Sequence, residues 1–392
     1  MSSSLFRTTL LTIAVFALQA LAFGAWLALI PDVQIKLGLN KAQLALALLG
    51  MPIATIPTLQ VASRLVSRFG PRRLLAAGFL AQPLSVILPL IAVGQGSLFA
   101  GLLATGFVMA FMQVSLNVYA GRLEKQTGAT VMIRCHGFWA IGLMLGSLFA
   151  TLSGVSLVGT LLIIALPAAM LGVVVALSLP RLAGEVVGGV SPPRRALRQI
   201  PPALFYVSIF ALAISMTEGA MSDWAAIYLA ERLPEGARHA GIAVTIYSGF
   251  LAVGRLIGDA LKIRLGAVRL ARLTVTLAIL GLGMLVMPLP LGLAYVGFAC
   301  IGLGASVGFP LGVSAAAALD DTYEGANIAI MSSVAICGFL IGPPLIGFLA
   351  EAVNLRVGLA ALIPLLVTAW VLAGALRGGI APDSDESESV AG

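Results

Sequence analysis

Apolar residues in this chain form long segments, and polar residues are concentrated in the short breaks between them. The hydrocarbon core of a bilayer is about 30 Å thick, so a helix that crosses it needs roughly 20 apolar residues. The pattern therefore predicts an all-α membrane protein with twelve transmembrane helices. We place these spans at residues 8–31, 43–62, 73–94, 97–121, 131–153, 155–179, 203–230, 240–261, 267–288, 290–318, 325–350 and 355–376.

The longest polar break, residues 181–202, divides the chain nearly in half. It contains paired glycines, paired prolines and the basic run Arg194–Arg195–Ala196–Leu197–Arg198. We interpret it as a cytoplasmic linker whose basic run lies on anionic lipid. It would join an N-terminal six-helix bundle, 1–180, to a C-terminal one, 203–377. Residues 378–392 carry the acidic run Asp-Ser-Asp-Glu-Ser-Glu and are predicted to be a disordered tail.

The two halves resemble each other at an offset of 196 residues, which is half of the 392-residue chain. Parallel six-helix repeats are typical of transporters that bind their solute near the membrane midplane between the halves. The sequence therefore predicts two pseudo-symmetric bundles. The matched pairs are Arg68 with Arg264, Gly70 with Gly266, Gly142 with Gly338, and Gly146 with Gly342.

Composition supports a membrane protein, because 60% of the residues are hydrophobic, 10% are charged and the mean hydropathy is +1.06. A soluble domain has about 25% charged residues. The net charge of +7 does not require a nucleic-acid partner. The orientation of a membrane protein explains the basic excess, because Lys and Arg are enriched in its cytoplasmic loops. We expect a monomer whose partners are the lipid bilayer, a small-molecule solute and protons.

The basic residues also predict the orientation. Of 23 Lys and Arg residues, 17 lie on the side of the N-terminus in this topology, and Arg255 lies within a span. Cytoplasmic segments are enriched in Lys and Arg, so both termini are predicted to be cytoplasmic in a bacterial inner membrane. The five on the opposite side are Lys36, Lys41, Arg232, Arg238 and Arg356.

The seventh predicted span contains two acids, Glu218 and Asp223, followed by Trp224. A carboxylate at the centre of a membrane helix costs roughly 2.5–3.5 kcal/mol on insertion scales, so it should face the bundle interior or a watered cavity. Glu218 is the leading candidate for proton or solute binding; alternatively it is a structural acid bonded to Ser215 or Ser222.

Asp223 lies about 140° around the helix from Glu218, so the two acids cannot share a face. We expect Asp223 to form a hydrogen bond near the outer mouth. Trp224 would either stack on a sugar ring or belong to the interfacial aromatic belt.

A second polar group is predicted in the N-terminal half. Gln113 and Asn117 lie one turn apart on the fourth span and need hydrogen-bond partners in hydrocarbon. His136 and Trp139 are three residues apart on the fifth span, at a similar depth, because the two spans are antiparallel. The four side chains would form one patch that contacts either a polar solute or another helix; His136, whose ordinary pKa is near neutral, could alternatively be a structural donor.

Gln19, Phe23 and Trp26 fall on one face of the first span and are weaker candidates for solute contact. Tyr247 and Asn327 are similar candidates on the eighth and eleventh spans. Aromatic stripes in membrane helices also serve as packing surfaces.

A cytoplasmic gate is predicted from basic residues near the ends of the second and eighth spans. Arg255 and Asp259 are four residues apart and could neutralise each other, which would make the embedded arginine tolerable. The other members of the predicted gate are Arg68, Arg72 and Arg264.

The loop after the second span resembles a signature of the major facilitator superfamily, Gly-x-x-x-Asp-Arg/Lys-x-Gly-Arg/Lys-Arg/Lys. The matching residues are Ser63, Ser67, Arg68, Gly70, Arg72 and Arg73, with Pro71 inserted. Ser67 replaces the acid, so the basic half of the signature is present without its carboxylate.

Four longer motifs resemble the fucose-permease-like branch of that superfamily, in particular the bacterial YbjJ-like and MosC-like rhizopine-transport proteins. They are residues 113–119, 135–139, 218–224 and 338–344. The resemblance implies a secondary transporter for a sugar- or cyclitol-like solute. Fucose permease has a protonatable acid on its fourth helix where this chain has Gln113, so proton coupling would depend on Glu218, with His136 as the reserve.

We therefore predict a proton-coupled secondary active transporter that works by alternating access. Two alternatives stay open: an exporter of amphipathic drug-like compounds, and a non-transporting membrane receptor or assembly partner. The sequence has no Walker loop for ATP and no constellation of nucleophile, base or metal ligands, so we expect neither a cofactor nor an enzyme.

Overall fold

The computed structural model describes residues 3–128, 131–182, 200–234 and 236–377, and within these ranges the regular structure is helical. The predicted linker, except at its ends, and the predicted acidic tail lie outside the described residues. The α-helices are α1 (Ser3–Leu37), α2 (Lys41–Leu48), α3 (Gly50–Phe69), α4 (Pro71–Leu90), α5 (Gln95–Thr127), α6 (Met132–Leu152), α7 (Leu157–Ser178), α8 (Pro202–Ala230), α9 (Ile242–Leu265), α10 (Ala267–Val286), α11 (Leu291–Ala305), α12 (Gly308–Ala317), α13 (Glu324–Ala352), α14 (Leu355–Ala360) and α15 (Leu362–Leu372).

Twelve helical stretches in the described part are long and apolar enough to cross a membrane, which confirms the predicted number of spans. The second span combines α2 with α3, the tenth α11 with α12, and the twelfth α14 with α15. The first and fourth spans are longer than predicted, because α1 and α5 continue to Leu37 and Thr127.

The two halves repeat one packing arrangement. In the N-terminal half α1 packs on α6 and α7, α3 on α5, and α4 on α5 and α7. In the C-terminal half α8 packs on α13 and α15, α9 on α11, and α10 on α11 and α15. Each contact in one half has its counterpart six spans later, so the structure confirms two pseudo-symmetric six-helix bundles.

The matched glycines have matching roles in the two bundles. Gly70 and Gly266 both end one helix and begin the next, with φ/ψ of 81°/151° and 75°/161°. A positive φ is strained for residues that carry a Cβ, which explains glycine at both positions.

The second set of matched glycines allows close helix packing. Gly146 on α6 lies directly on the Leu21 carbonyl of α1, and Gly338 on α13 lies against Leu212 and Met216 of α8. Small residues let membrane helices approach until their backbones touch. The first and fifth helices of each bundle therefore form a tightly packed pair.

The halves also contact each other, with α1 against α8 and more extensively along two seams. Along the first, α6 and α9 run antiparallel, and the hydroxyls of Ser147 and Thr245 lie 2.9 Å apart. Along the second, α2 packs on α13 at the end of the bundle opposite the termini, which we call the far end. There Gly347 lies directly against Ala45 and Lys41.

We expect Gly146→Ala to destabilise the protein, because the new methyl group would overlap the Leu21 carbonyl and push α1 away from α6. Overpacking of this kind costs about 1–3 kcal/mol. The apparent melting temperature in detergent should fall by several degrees. Gly283→Ala on α10 is the matched control, since no atom lies within 4 Å of its added Cβ. An equal melting temperature for both variants would contradict the close packing.

Candidate functional site

Two helices of the C-terminal bundle are joined by an ion pair between Glu218 of α8 and Arg255 of α9. The Arg255 guanidinium donates to Oε1 of Glu218 at 2.6 Å, and the side chains are 13% and 16% exposed for Arg255 and Glu218 respectively. Charges within a span are tolerated when they neutralise each other. The predicted pair between Arg255 and Asp259 is not formed, since Asp259 is exposed and Arg255 turns to the neighbouring helix instead.

Glu218 is consequently not a structural acid held by serine hydroxyls. Ser222 donates to the backbone carbonyl of Glu218, at 3.0 Å, and leaves the carboxylate to Arg255. The charged partner of the carboxylate is thus Arg255, on a neighbouring helix.

Residues from both halves surround this ion pair. Tyr247, which is 2% exposed, lies about two turns before Arg255 on α9. His136 of α6 contacts Phe16 edge-on, with ring centroids 5.4 Å apart, and its neighbour Gly137 lies directly against Leu256, the residue after Arg255. The candidate site therefore brings the predicted Glu218, Tyr247 and His136 together across the boundary between the halves.

A hydrogen-bonded group on the N-terminal side joins side chains that were predicted as separate candidates. Trp139 Nε1 donates to Gln19 Oε1 at 2.6 Å, and Gln19 Nε2 reaches Met109 Sδ at 3.0 Å. Gln82, which was not among the predicted residues, donates to the Gln19 backbone carbonyl at 2.8 Å. Phe23 packs beside Trp139. The signal for Gln82 was its amide, a rare group inside an apolar span.

The predicted patch of four residues is not held together by contacts among its members. Across the described ranges, no hydrogen bond, ion pair or ring contact joins Gln113 or Asn117 to His136 or Trp139. Both amides are half-buried, and Asn117 Oδ1 is buried without a hydrogen-bond partner. They are thus placed in the span interior with unfilled hydrogen-bonding capacity.

Asp223 is half-buried and has no ion-pair or hydrogen-bond partner in the part of the chain that the structure describes. The hydrogen bond predicted for it near the outer mouth is therefore not formed. An acid that stays unpaired within a span is a second candidate for proton or solute binding.

Trp26 and Trp224 are fully buried, and neither indole N–H has a partner. Trp224 lies against Gly347 at the far end and not in an interfacial belt. Asn327 is fully buried near the start of α13.

The predicted cytoplasmic gate is not formed by ion pairs among its members within the described ranges. Arg68, Asp259 and Arg264 are exposed, and Arg68 lies over the ring of Phe69. Arg72 donates to the backbone carbonyl of Leu177, within its own half. Arg255 belongs to the central ion pair.

The ionic contact between the halves is found at the far end, where none was predicted. Lys41 Nζ lies 2.8 Å from Glu231 at the end of α8, and the Lys41 backbone N–H donates to Glu351 of α13 at 3.0 Å. In the sequence analysis Lys41 is assigned only to an outer loop. Its contact with the other half follows from its position at the start of the second span, which packs on the eleventh.

Comparison with known sequences identifies a family likeness. The profile of the Major Facilitator Superfamily matches residues 11–319 and 225–392. An uncharacterized transporter of Sinorhizobium fredii, y4wD, is 29% identical over 348 residues, which is 87% of this chain and 90% of that protein. Membrane protein MosC of Rhizobium meliloti is 26% identical over 350 residues, 87% of this chain and 83% of that protein.

Solved structures show the same fold. A crystal structure of a mutant of the nucleoside transporter NupG has a TM-score of 0.73 at 15% identity, covering 94% of this chain and 98% of that one. A bacterial homolog of the human lysosomal transporter Spinster, in an inward-facing and unoccupied conformation, has a TM-score of 0.63 at 13% identity, covering 96% and 98%.

We expect the ion pair to be detectable as energetic coupling. Arg255→Gln removes the counter-ion of Glu218 and should lower the apparent melting temperature, since breaking a buried pair costs up to about 3–5 kcal/mol and less with partial exposure. The double variant Glu218→Gln with Arg255→Gln should melt above Arg255→Gln alone. The exposed Arg264→Gln serves as the control on α9. A double variant that melts no higher than the single one would contradict the coupling.

Proposed function

The chain belongs to the Major Facilitator Superfamily, and from that premise we propose that it is a proton-coupled secondary active transporter for a small polar, sugar- or cyclitol-like solute. Proteins of this family are multi-pass membrane transporters, so the chain is not an enzyme. In the proposal, it lies in a bacterial inner membrane with both termini in the cytoplasm, and its two bundles rock around the central site.

The observation that carries the proposal is the ion pair of Glu218 and Arg255 with His136 opposite it. The pair lies inside the membrane-spanning part of one bundle, and His136 lies on α6 of the other bundle, which packs on α9 where Gly137 meets Leu256. A charged centre at a boundary that changes shape can respond to a proton and to a solute in the same place.

The proposed coupling depends on the single counter-ion of Arg255. When Glu218 takes up a proton its charge disappears, and the guanidinium then needs other acceptors in a medium of low polarity. Hydroxyl or carbonyl oxygens of a solute would provide them. Solute binding is therefore favoured when Glu218 is protonated, which corresponds to movement of solute and proton in the same direction.

Unfilled hydrogen-bonding groups favour a solute rich in hydroxyls. The indoles of Trp26 and Trp224, the hydroxyl of Tyr247 and Oδ1 of Asn117 are buried without partners. Trp26, Trp224 and Tyr247 belong to one continuous cluster of buried side chains. Buried polar groups normally find partners, and a polyol that enters as the far end opens would provide them.

The relatives and the structural neighbours indicate which solutes to test first. The resemblance to the fucose-permease-like branch favours sugars and cyclitols. The nucleoside transporter NupG, which shares the fold, adds nucleosides, whose ribose also carries hydroxyls. All three classes could supply oxygen acceptors to Arg255 and to the buried indole N–H groups.

The alternative, export of amphipathic compounds, is supported by one observation. A cleft of about 780 Å³ between α3, α4 and α5 is lined almost entirely by apolar side chains, among them Ile53, Leu84, Leu103 and Phe107. Such a cleft would admit apolar molecules from the bilayer. Protection of a hypersusceptible host from toxic compounds, without uptake of any polyol, would favour this second function.

We expect Glu218→Gln to abolish accumulation driven by a pH gradient while solute exchange continues. Glutamine still accepts a hydrogen bond from Arg255 but cannot carry a proton. The measurement is uptake and counterflow in proteoliposomes, with a labelled polyol selected by thermal shift across sugars, cyclitols and nucleosides.

The matched control for that measurement is Glu324→Gln, which removes an exposed carboxylate at the start of α13. Both activities should persist in this variant. Unchanged concentrative uptake by Glu218→Gln would mean that the coupling group is elsewhere, with Asp223 and His136 the next to test.

We also expect Lys41→Glu to open the far end, because it removes the ion pair with Glu231 and adds a third carboxylate beside Glu231 and Glu351. A Leu44→Cys reporter, buried one turn along α2, should then react faster with an impermeant maleimide in a background of Cys300→Ser and Cys337→Ser. The control is Lys36→Glu, because the Lys36 amine donates to the Leu90 and Ala92 carbonyls within its own half. Equal labelling rates would show that the Lys41 contact does not hold the far end closed.

A further inference from the structure

A second pocket lies at the end of the N-terminal bundle that carries the chain terminus, away from the ion pair. Its volume is about 260 Å³, and it is formed where α3 meets α4, where α5 ends and where the chain leaves α7. Four arginines line it: Arg72, Arg73, Arg122 and Arg181. Arg73 and Arg181 are exposed, and Arg72 and Arg122 are half-buried, so the four positive charges form a solvent-accessible site that attracts anions.

The structure provides no such anion from the described residues. Within them, none of the four guanidiniums forms an ion pair with a carboxylate. The nearby acid on α5, Glu124, is engaged by the backbone N–H groups of Val131 and Met132 at 2.6 and 2.8 Å. At the position where the family signature has an acid the chain has Ser67, whose hydroxyl donates to its own helix.

Two further donors point to an anion. Arg72 uses one terminal nitrogen on the Leu177 carbonyl, but its Nε is buried and has no partner. The pocket also includes Gly70 and Pro71, where α4 begins without a side-chain cap. Backbone N–H groups and the partial positive charge at a helix start attract phosphate oxygens.

The fold itself does not require this arrangement, as the repeat in the other bundle shows. At the 196-residue offset, Arg73 and Arg181 correspond to Arg269 and Arg377, but Arg72 and Arg122 correspond to Val268 and Ala318. Tyr119, whose hydroxyl donates to the Pro180 carbonyl beside the pocket, corresponds to Ala315. The full cluster is found in one half. An enrichment of basic residues that served only to set the membrane orientation would be expected in both halves.

We propose that this arginine pocket binds a phosphate group, with guanidinium forks and the start of α4 as its donors. Arginine matches phosphate with paired, charge-assisted hydrogen bonds. The phosphate is carried either by an anionic lipid headgroup of the adjoining leaflet or by a soluble phosphate compound. Bound there, it ties α4, α5 and α7 together at one end of the bundle.

The test uses the full chain in detergent and in nanodiscs of phosphatidylcholine. Native mass spectrometry measures retention of added phosphatidylglycerol, and thermal shift measures the response to phosphatidylglycerol and, separately, to inorganic phosphate. Arg122→Gln with Arg181→Gln should weaken binding at least about tenfold, because two charge-assisted contacts are lost. The matched control, Arg269→Gln with Arg377→Gln, removes the same charge from the other bundle and should bind as the parent does.

The outcomes separate the two sources of phosphate. Retention and stabilisation by phosphatidylglycerol alone identify the lipid headgroup, whereas stabilisation by inorganic phosphate that persists in the control variant identifies a soluble ligand. Equal weakening in both double variants would reduce the effect to overall charge and overturn the site. Binding of neither probe by a parent protein that melts cooperatively would overturn it as well.

Discussion

The centre of this molecule is governed by the need to neutralise charge inside a membrane. Glu218 and Arg255 lie on adjacent spans, each with little contact with solvent, and each is tolerable there because of the other. Their pairing requires α8 and α9 to present these faces to the bundle interior. Because α9 packs on α6, the pair lies near the boundary between the halves, where α6 carries His136.

The two halves share one helix arrangement, but the polar and charged side chains of the candidate site are not repeated between them. At the 196-residue offset Glu218 corresponds to Ala22 and Arg255 to Leu59, while Trp139 corresponds to Ala335. One bundle therefore contributes the charges and the other contributes the hydrogen-bonded indole and amide groups. The two halves therefore present different groups to the boundary between them, although their helices are arranged alike.

Local patterns were enough to predict the fold, because span length and hydropathy depend on residues adjacent in sequence. Glycines at a fixed offset, such as Gly70 and Gly266, also predicted the repeat. The partner of Arg255 was mispredicted for the same reason: Asp259 lies one turn away, whereas Glu218 lies 37 residues earlier on another helix. The contact of Lys41 with Glu351 joins residues 310 apart, and no pattern within one helix reports it. Glu218, His136 and Trp139 were predicted as candidates because polar groups are rare inside spans, but their partners Arg255, Phe16 and Gln19 lie on other helices and were not predicted.

The glycine contacts between α1 and α6, and between α8 and α13, have a mechanical consequence. Backbone pressed on backbone leaves no side chain that could change rotamer and absorb a displacement, so each bundle resists deformation. In the proposed rocking motion, displacement would fall on the contacts between the halves, where the seams of α6 with α9 and of α2 with α13 contain hydroxyl, charged and small side chains. A change at the ion pair would then rotate a whole bundle and so move its far end, because the helices between the two points bend little.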